Sequence, residues 1–258
     1  MPHPIPVIEE ALDAARAVLL GRYRAIPGVE RKSSDLDLVT VADRESEDAI
    51  KRVLAARLPS YAVLAEESAT AREPASGFRF LVDPLDGTTN FAHGMPLFAI
   101  SIALEHDGVI VAAGVENPVY RERFLAERGA GATLNGERLA VSKAEALRES
   151  LLVTGFPYDR RERMAHYLGH VGAFLMQAHG VLRLGSAALD LCAVAAGRLD
   201  GFWEEHLAPW DTAAGLLMVE EAGGRVTTFD GGAYTPFAPS ILATNGAIHD
   251  ACVKVLAG

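Results

Sequence analysis

The segment Leu81-Val82-Asp83-Pro84-Leu85-Asp86-Gly87-Thr88-Thr89-Asn90-Phe91 constrains this chain more than any other. An apolar, strand-like run delivers two carboxylates, Asp83 and Asp86, immediately ahead of a Gly-Thr-Thr step. Acids at the end of a strand suit a hard cation, and the backbone N–H groups of the following turn suit phosphate oxygens. The pattern points to metal-dependent phosphoryl chemistry rather than to a binding module.

The rest of the chain agrees with a folded enzyme. Its 258 residues suffice for one large domain or two small ones. Half are hydrophobic and 22% are charged, which excludes a disordered chain. Gly, Pro or charged residues interrupt every apolar run before it reaches membrane-spanning length. Met1-Pro2-His3-Pro4 lacks the basic and apolar regions of a secretory signal. The two cysteines, Cys192 and Cys252, form no Cys-x-x-Cys pattern, so neither a disulfide framework nor a zinc site is expected. These features predict a cytoplasmic protein without a membrane partner. The net charge of −10 repels nucleic-acid backbones and requires cations wherever a phosphate is to be held.

Periodicity predicts an amphipathic helix over Pro6–Arg24, with Ile8, Leu12, Ala15, Leu19 and Tyr23 on one stripe and Pro27-Gly28 as the stop. A second helix is expected from near Asp43 to Leu58, ended by Pro59. Strands follow at Tyr61–Leu64 and Phe78–Val82, with a loop from Ala69 to Gly77 between them. Leu97–Glu105 and Val109–Val115 form a hairpin across Asp107-Gly108. Phe124–Glu127, Ala132–Leu134 and Arg138–Val141 continue the sheet, the last pair joined by Asn135-Gly136. After about Ala144 to Ser150 strands and helices alternate. Strands are expected at 151–154, 181–184, 199–204, 225–229 and 241–244, with helices at 163–179, 186–196, 211–222 and 248–256. The chain thus divides into an N-terminal α+β half, 1–145, and a C-terminal α/β half, 146–258.

Carboxylates sit at element ends in four places: Asp43, Glu66-Glu67, Asp83 with Asp86, and Asp211 in Pro209-Trp210-Asp211-Thr212-Ala213-Ala214-Gly215. Magnesium takes a few carboxylates and keeps positions open for water and phosphate. Two ions about 4 Å apart can activate a water and stabilise a leaving oxygen. The Leu85 carbonyl is a further oxygen ligand, Thr88 can bond an attacking water, and the N–H groups of Gly87 and Thr88 can hold phosphate. Each feature also has a plain structural reading. Asp-x-x-Asp is common, Asp before Gly is a turn residue, Asp211 and Asp43 serve as helix caps, and Glu66-Glu67 can be simply exposed.

Asp83-Pro84-Leu85-Asp86-Gly87-Thr88-Thr89-Asn90-Phe91 resembles the first signature of the inositol monophosphatase family, and Trp210-Asp211-Thr212-Ala213-Ala214-Gly215 resembles the second. Glu66-Glu67-Ser68 and Leu38-Val39-Thr40-Val41-Ala42-Asp43 stand upstream in matching order. The resemblance implies a five-layer αβαβα sugar-phosphatase fold and a homodimer. It implies two or three Mg2+ ions, inhibition by lithium, and hydrolysis of a small phosphate monoester, foremost inositol 1-phosphate. It assigns one Mg2+ to Glu66, Asp83 and the Leu85 carbonyl, a second to Asp83, Asp86 and Asp211, and a weaker third to Glu66 and water. Thr88, hydrogen-bonded toward Asp43, would orient the attacking water with Glu66. Gly185, Ser186, Ala187 and Glu204, with Asp86 and Asp211, would face the polyol, while Glu205 is only a neighbour. Lys32 matches a position near the active site.

Ala65 stands where many relatives have Gly, and the stretch between Glu67 and Asp83 is short beside animal enzymes. Gly155-Phe156-Pro157-Tyr158 resembles bacterial members. Among other residues, His93 reads as a loop residue, His206 as either site lining or solvent-facing, and Trp203 and Trp210 as packing. No histidine pair is expected with metal-ligand spacing on one helix, and no Ser-His-Asp arrangement accompanies Ser68 or Ser186. Rival activities on the same scaffold are fructose 1,6-bisphosphatase, histidinol-phosphatase and 3′-phosphoadenosine nucleotide phosphatase. A rival class is a non-catalytic adapter for transcription machinery.

Overall fold

The computed structural model describes residues 3–23, 36–68, 77–157 and 159–257. Pro27-Gly28, Lys32, most of the Ala69-to-Gly77 loop and Tyr158 therefore lie outside the described residues, as do the side chains of Leu38, Val39 and Thr40.

Helices α1 (Pro4–Arg22) and α2 (Leu36–Arg57) precede a seven-stranded sheet. Its strands are β1 (Ala62–Ala65), β2 (Phe78–Asp86), β3 (Ala99–His106), β4 (Val109–Asn117), β5 (Glu122–Glu127), β6 (Gly131–Leu134) and β7 (Glu137–Arg138), adjacent in chain order. Only β1 and β2 run parallel. The hairpin turns fall where expected, with Asp107 and Gly108 at φ 49° and 83° and Asn135 and Gly136 at 50° and 87°. Strand β7 stops short because its continuation leaves the sheet: the Val141 N–H donates to the carbonyl of Ala222 at 3.1 Å.

The second sheet has strand order β11-β12-β10-β8-β9, with β8 (Leu151–Thr154), β9 (Gly180–Leu182), β10 (Gly201–Glu205), β11 (Arg225–Thr227) and β12 (Ser240–Thr244). Between and around these strands lie α4 (Arg160–Leu175), α5 (Ala187–Ala195), α6 (Pro209–Glu221) and α7 (His249–Leu256). A short helix, α3 (Thr88–Ala92), follows β2.

Burial divides these elements into five layers. Ile8, Leu12 and Leu19 of α1 and Leu54 of α2 pack on Phe80, Val82, Ile100 and Ile102 on one face of the first sheet. Its opposite face, with Leu81, Ala103, Ala113 and Val115, meets Leu191 of α5 and Ala214 and Met218 of α6. Those two helices also cover one face of the second sheet through Val153, Phe202 and Ala243. Phe174 of α4 and Cys252 and Leu256 of α7 close the other face on Leu152, Trp203 and Leu242. This is the expected αβαβα arrangement. Helices α5 and α6 can share the middle layer because Gly215 lets them touch: a Cβ there would lie 2.4 Å from the Leu191 Cβ.

Candidate active site

Asp83 and Asp86 are three residues apart, so an unbroken strand would send them to opposite faces. Strand β2 is not unbroken. Asp83 pairs with Ser101 and Asp86 with Ala99, so three steps on β2 match two on β3. This bulge carries one extra residue and returns both carboxylates to one side. Pro84 sits within it, where no ladder hydrogen bond is lost. Its carbonyl accepts from the Ser46 hydroxyl at 2.9 Å, tying the bulge to α2. The Leu85 N–H donates to Asp83 Oδ1 at 2.9 Å.

Gly87 then turns the chain into α3 at φ 90°, a conformation that disfavours side chains. A Cβ there would approach the Leu97 carbonyl oxygen to 2.9 Å. The chain after the motif is therefore a short helix and not an open turn. Asn90 of α3 donates to the carbonyls of Leu97 and Leu184 at 2.7 and 2.8 Å, which joins the two halves of the chain.

Three other elements bring their ends to the same place. Glu66 follows β1, and its N–H donates to the Val82 carbonyl. The start of α5 turns on Asp86, whose Oδ2 accepts from the Ser186 hydroxyl at 2.6 Å and the Ala188 N–H at 2.8 Å. Asp211 lies in the first turn of α6 and accepts from the Ala208 N–H at 2.8 Å. It acts as the carboxylate partner in that cap and not as the N-cap residue, which is Ala208.

The result is one cleft of about 370 Å³. It is lined by Glu66, Asp83, Leu85, Asp86, Asp211 and Glu204, by Gly87 and Thr88, and by Gly185, Ser186 and Ala187. Every residue expected at the metal or polyol side is present in that wall. Gly155 also belongs there, because a Cβ at that position would overlap the Glu204 carboxylate.

Asp43 lies outside the lining. It is buried within α2, about two turns after the helix begins, and so caps nothing. Its Oδ1 has no hydrogen-bond partner among the described residues. The expected bond from Thr88 to Asp43 is not formed: Thr88 Oγ1 donates to the Leu85 carbonyl at 3.0 Å. A hydroxyl has one proton to give, and the Leu85 carbonyl takes it.

Burial and mutual repulsion push the clustered acids upward. Asp83 is held well above the usual carboxylate range by burial first, then by the charges of Glu66, Asp86 and Asp211. Burial raises Asp86 to about 6, against donation from Ser186 and the backbone. Glu204 and Asp211 rise to about 8, each through burial and then carboxylate neighbours. Asp43 also reaches about 8, through burial and the charges of Glu67, Glu66 and Glu47. Converging oxygens that resist ionisation together, with an orphaned oxygen behind them, fit a hard divalent cation.

The model described as the inositol monophosphatase family matches residues 4–257. The chain belongs to the inositol monophosphatase family. An inositol-1-monophosphatase from Mesorhizobium japonicum is 46% identical over 220 residues, covering 85% of this chain and 83% of that protein. A Nus factor SuhB from Pseudomonas aeruginosa is 42% identical over 234 residues, covering 88% and 86%. The solved inositol monophosphatase from Anabaena (Nostoc) superposes with a TM-score of 0.89 at 40% identity, over 98% of this chain and 94% of that one. This inositol monophosphatase family member is therefore a phosphoric monoester hydrolase, of a family that is generally metal-dependent. No helix among the described residues is long and apolar enough to cross a membrane.

Sequence reasoning missed several residues of this family member's cleft. Arg160 and Arg183 line it and bring positive charge to its wall. Asp190 also lines it, with Oδ1 buried and unpartnered among the described residues. The signal for Asp190 was available, since it is the lone acid in the otherwise apolar helix Ala187–Ala195. His206 does reach the cleft and bonds Arg163 at 2.8 Å. Trp203 is packing, with its ring 4.3 Å from Phe174. His93 caps the C-terminus of α3.

One histidine expectation is overturned. His166 and His170 lie four residues apart on α4, and Glu205 of β10 stands against them. The pair falls within the helix expected over 163–179, so its spacing was already present in the sequence.

The raised acids predict how the metal-free protein responds to pH. Their folded pKa values exceed the ordinary 3.8–4.5, so the folded state binds the extra protons. That stabilisation is complete below about pH 4 and is lost as pH rises through about 6 for Asp86 and about 8 for Asp43, Glu204 and Asp211. Thermal unfolding in chelator should show Tm falling between pH 5 and 9. An added divalent cation should restore Tm most at the alkaline end. A Tm that rises across this range without metal would contradict the assignment.

Proposed function

We propose that this chain hydrolyses inositol 1-phosphate, or a closely related polyol phosphate, to the free alcohol and inorganic phosphate with Mg2+. The observation that carries the reading is the bulge in β2, which turns Asp83 and Asp86 to one side and into the wall shared by Glu66, Asp211 and Glu204. Two or three Mg2+ would be held there. Glu66, Asp83 and the Leu85 carbonyl form one set of donors, Asp83, Asp86 and Asp211 a second, and Glu66 with water a weaker third. Bound ions supply charge stabilisation for the phosphoryl group and lower the pKa of water.

The chain's own residues do the positioning. The Thr88 hydroxyl, its proton held by the Leu85 carbonyl, accepts from the attacking water, and Glu66 and Asp43 are the further groups that fix that water's direction. The N–H groups of Gly87 and Thr88 hold phosphate oxygens. Glu204, Gly185, Ser186 and Ala187 face the polyol, with Asp86 and Asp211 on the side of the leaving oxygen. Displacement by water at phosphorus needs no covalent phosphoenzyme. We further propose a homodimer in a cytoplasmic setting, in keeping with the buried free thiols Cys192 and Cys252, and inhibition by lithium at a magnesium position.

The substrate is decided by a panel. Phosphate release should be fastest from inositol 1-phosphate among inositol 1-phosphate, fructose 1,6-bisphosphate, histidinol phosphate and 3′-phosphoadenosine 5′-phosphate. Faster release from any of the others reassigns the polyol wall while leaving the metal wall intact. A protein-binding role beside catalysis is favoured by the likeness to the protein named Nus factor SuhB. The net charge of −10 directs that role toward a protein and away from RNA. Binding to transcription proteins that survives inactivation of the cleft would support it.

A further inference from the structure

We propose that His166, His170 and Glu205 form a second metal site, separate from the carboxylate cleft, that takes a borderline transition ion such as Zn2+. Residues four apart on a helix lie one above the other, so α4 presents both imidazoles on one side. Glu205 meets them from the end of β10. The side chains of Glu204 and Glu205 leave a strand in opposite directions, which sends Glu204 to the cleft and Glu205 to α4. One ligand atom from each of His166, His170 and Glu205 falls within 4.8 Å of the other two. Glu205 Oε2 is 2.6 Å from His166 Nε2, and the two imidazole centroids are 4.6 Å apart at 66°.

Those separations are close to what an ion needs. Zinc bonds of about 2.0–2.1 Å in a tetrahedron put the donors roughly 3.4 Å apart. His166 is exposed while His170 and Glu205 are half-buried, so the fourth position opens to water. His170 packs edge-to-face with Phe229 at a centroid distance of 5.7 Å, which limits its orientation. Arg163 approaches Glu205 at 3.9 Å and bonds His206 at 2.8 Å, leaving one Glu205 oxygen for the ion.

Donor chemistry separates this site from the cleft. Magnesium seeks oxygen ligands, whereas imidazole nitrogen suits zinc, cobalt, nickel and copper. The chain would thus carry two chemically distinct metal positions. The new ion would clamp α4 to β10. Segment Gly155–Pro157 leads into α4, and Glu204 precedes Glu205, so both structures flank the polyol side of the cleft.

The test uses full-length, untagged protein stripped with chelator and titrated with Zn2+ alone by calorimetry, with metal analysis after dialysis. Co2+ serves as a spectroscopic reporter of nitrogen ligation. An Asp83→Asn/Asp86→Asn variant should retain one equivalent of Zn2+ per chain. His166→Ala and His170→Ala in that background should weaken it at least about 10- to 100-fold, and should abolish the Co2+ spectrum. His166 is exposed, so its variant should keep the circular dichroism of the parent. Loss of all zinc binding on removing the cleft carboxylates would overturn the proposal. So would zinc affinity unchanged by both histidine substitutions, which would leave the trio an ordinary hydrogen-bonded ion pair.

Discussion

Asp86→Asn should lower kcat for phosphate release by about 10³ or more while leaving the protein folded. The loss follows from removing one charge from the wall proposed to hold the ions: metal stabilisation of a phosphoryl transition state is worth several kcal/mol, and each 1.36 kcal/mol is about tenfold in rate. Folding survives because the change is isosteric. Asp86 already titrates as high as about 6, so a neutral side chain is tolerated in its surroundings. The asparagine oxygen can still accept one of the two bonds now donated by Ser186 and Ala188. Losing the other weakens the start of α5 by roughly 1 kcal/mol. Steady-state kinetics with circular dichroism checks both halves. Activity within tenfold of wild type would remove Asp86 from the site.

Thr88→Val should lower kcat by about 10²–10⁴ with little change in KM, the range expected when a group that directs a proton in the transition state is lost. Valine keeps the shape and removes the hydroxyl. The cost to structure is small, because that hydroxyl makes one bond, to the Leu85 carbonyl, at a half-buried position. Thr88→Ser should recover most of the activity, which a purely packing role for the methyl group would not allow. Asp43→Asn should act in the same direction as Thr88→Val, since its buried Oδ1 lacks a partner among the described residues. Wild-type kcat in Thr88→Val would show that the hydroxyl has no part in directing water.

Much of this was legible from residue patterns because the signals were local. The tight turns at Asp107-Gly108 and Asn135-Gly136 demand φ values that few residues adopt, and the two hairpins follow. Strand β8 falls on the expected residues, and α5 begins where Ser186 accepts from the Leu189 N–H as an N-cap. Both family signatures lie at element ends, so their acids were expected to meet.

What was not legible depended on tertiary contacts. Helix α2 begins at Leu36, well before Asp43, through a β-branched run whose helix propensity is poor. The helix runs through it all the same, which moves Asp43 from a cap into a helix interior. The bulge that turns Asp83 and Asp86 to one side is a register difference between two strands, invisible in either alone. Helix α3 is too short to show a period. Arg160 joins the cleft from a helix that carries no motif, and Arg183 from the residues just before Gly185. Glu205 looked like a bystander to Glu204 because the strand sends it to the other side, where α4 supplies its partners.

The most direct test of the central claim is phosphate release from inositol 1-phosphate by wild-type protein, first in chelator and then across a Mg2+ titration. The account predicts no release in chelator and recovery on adding Mg2+. Release that persists in chelator, or no release with Mg2+ from this or any other monoester, would contradict it.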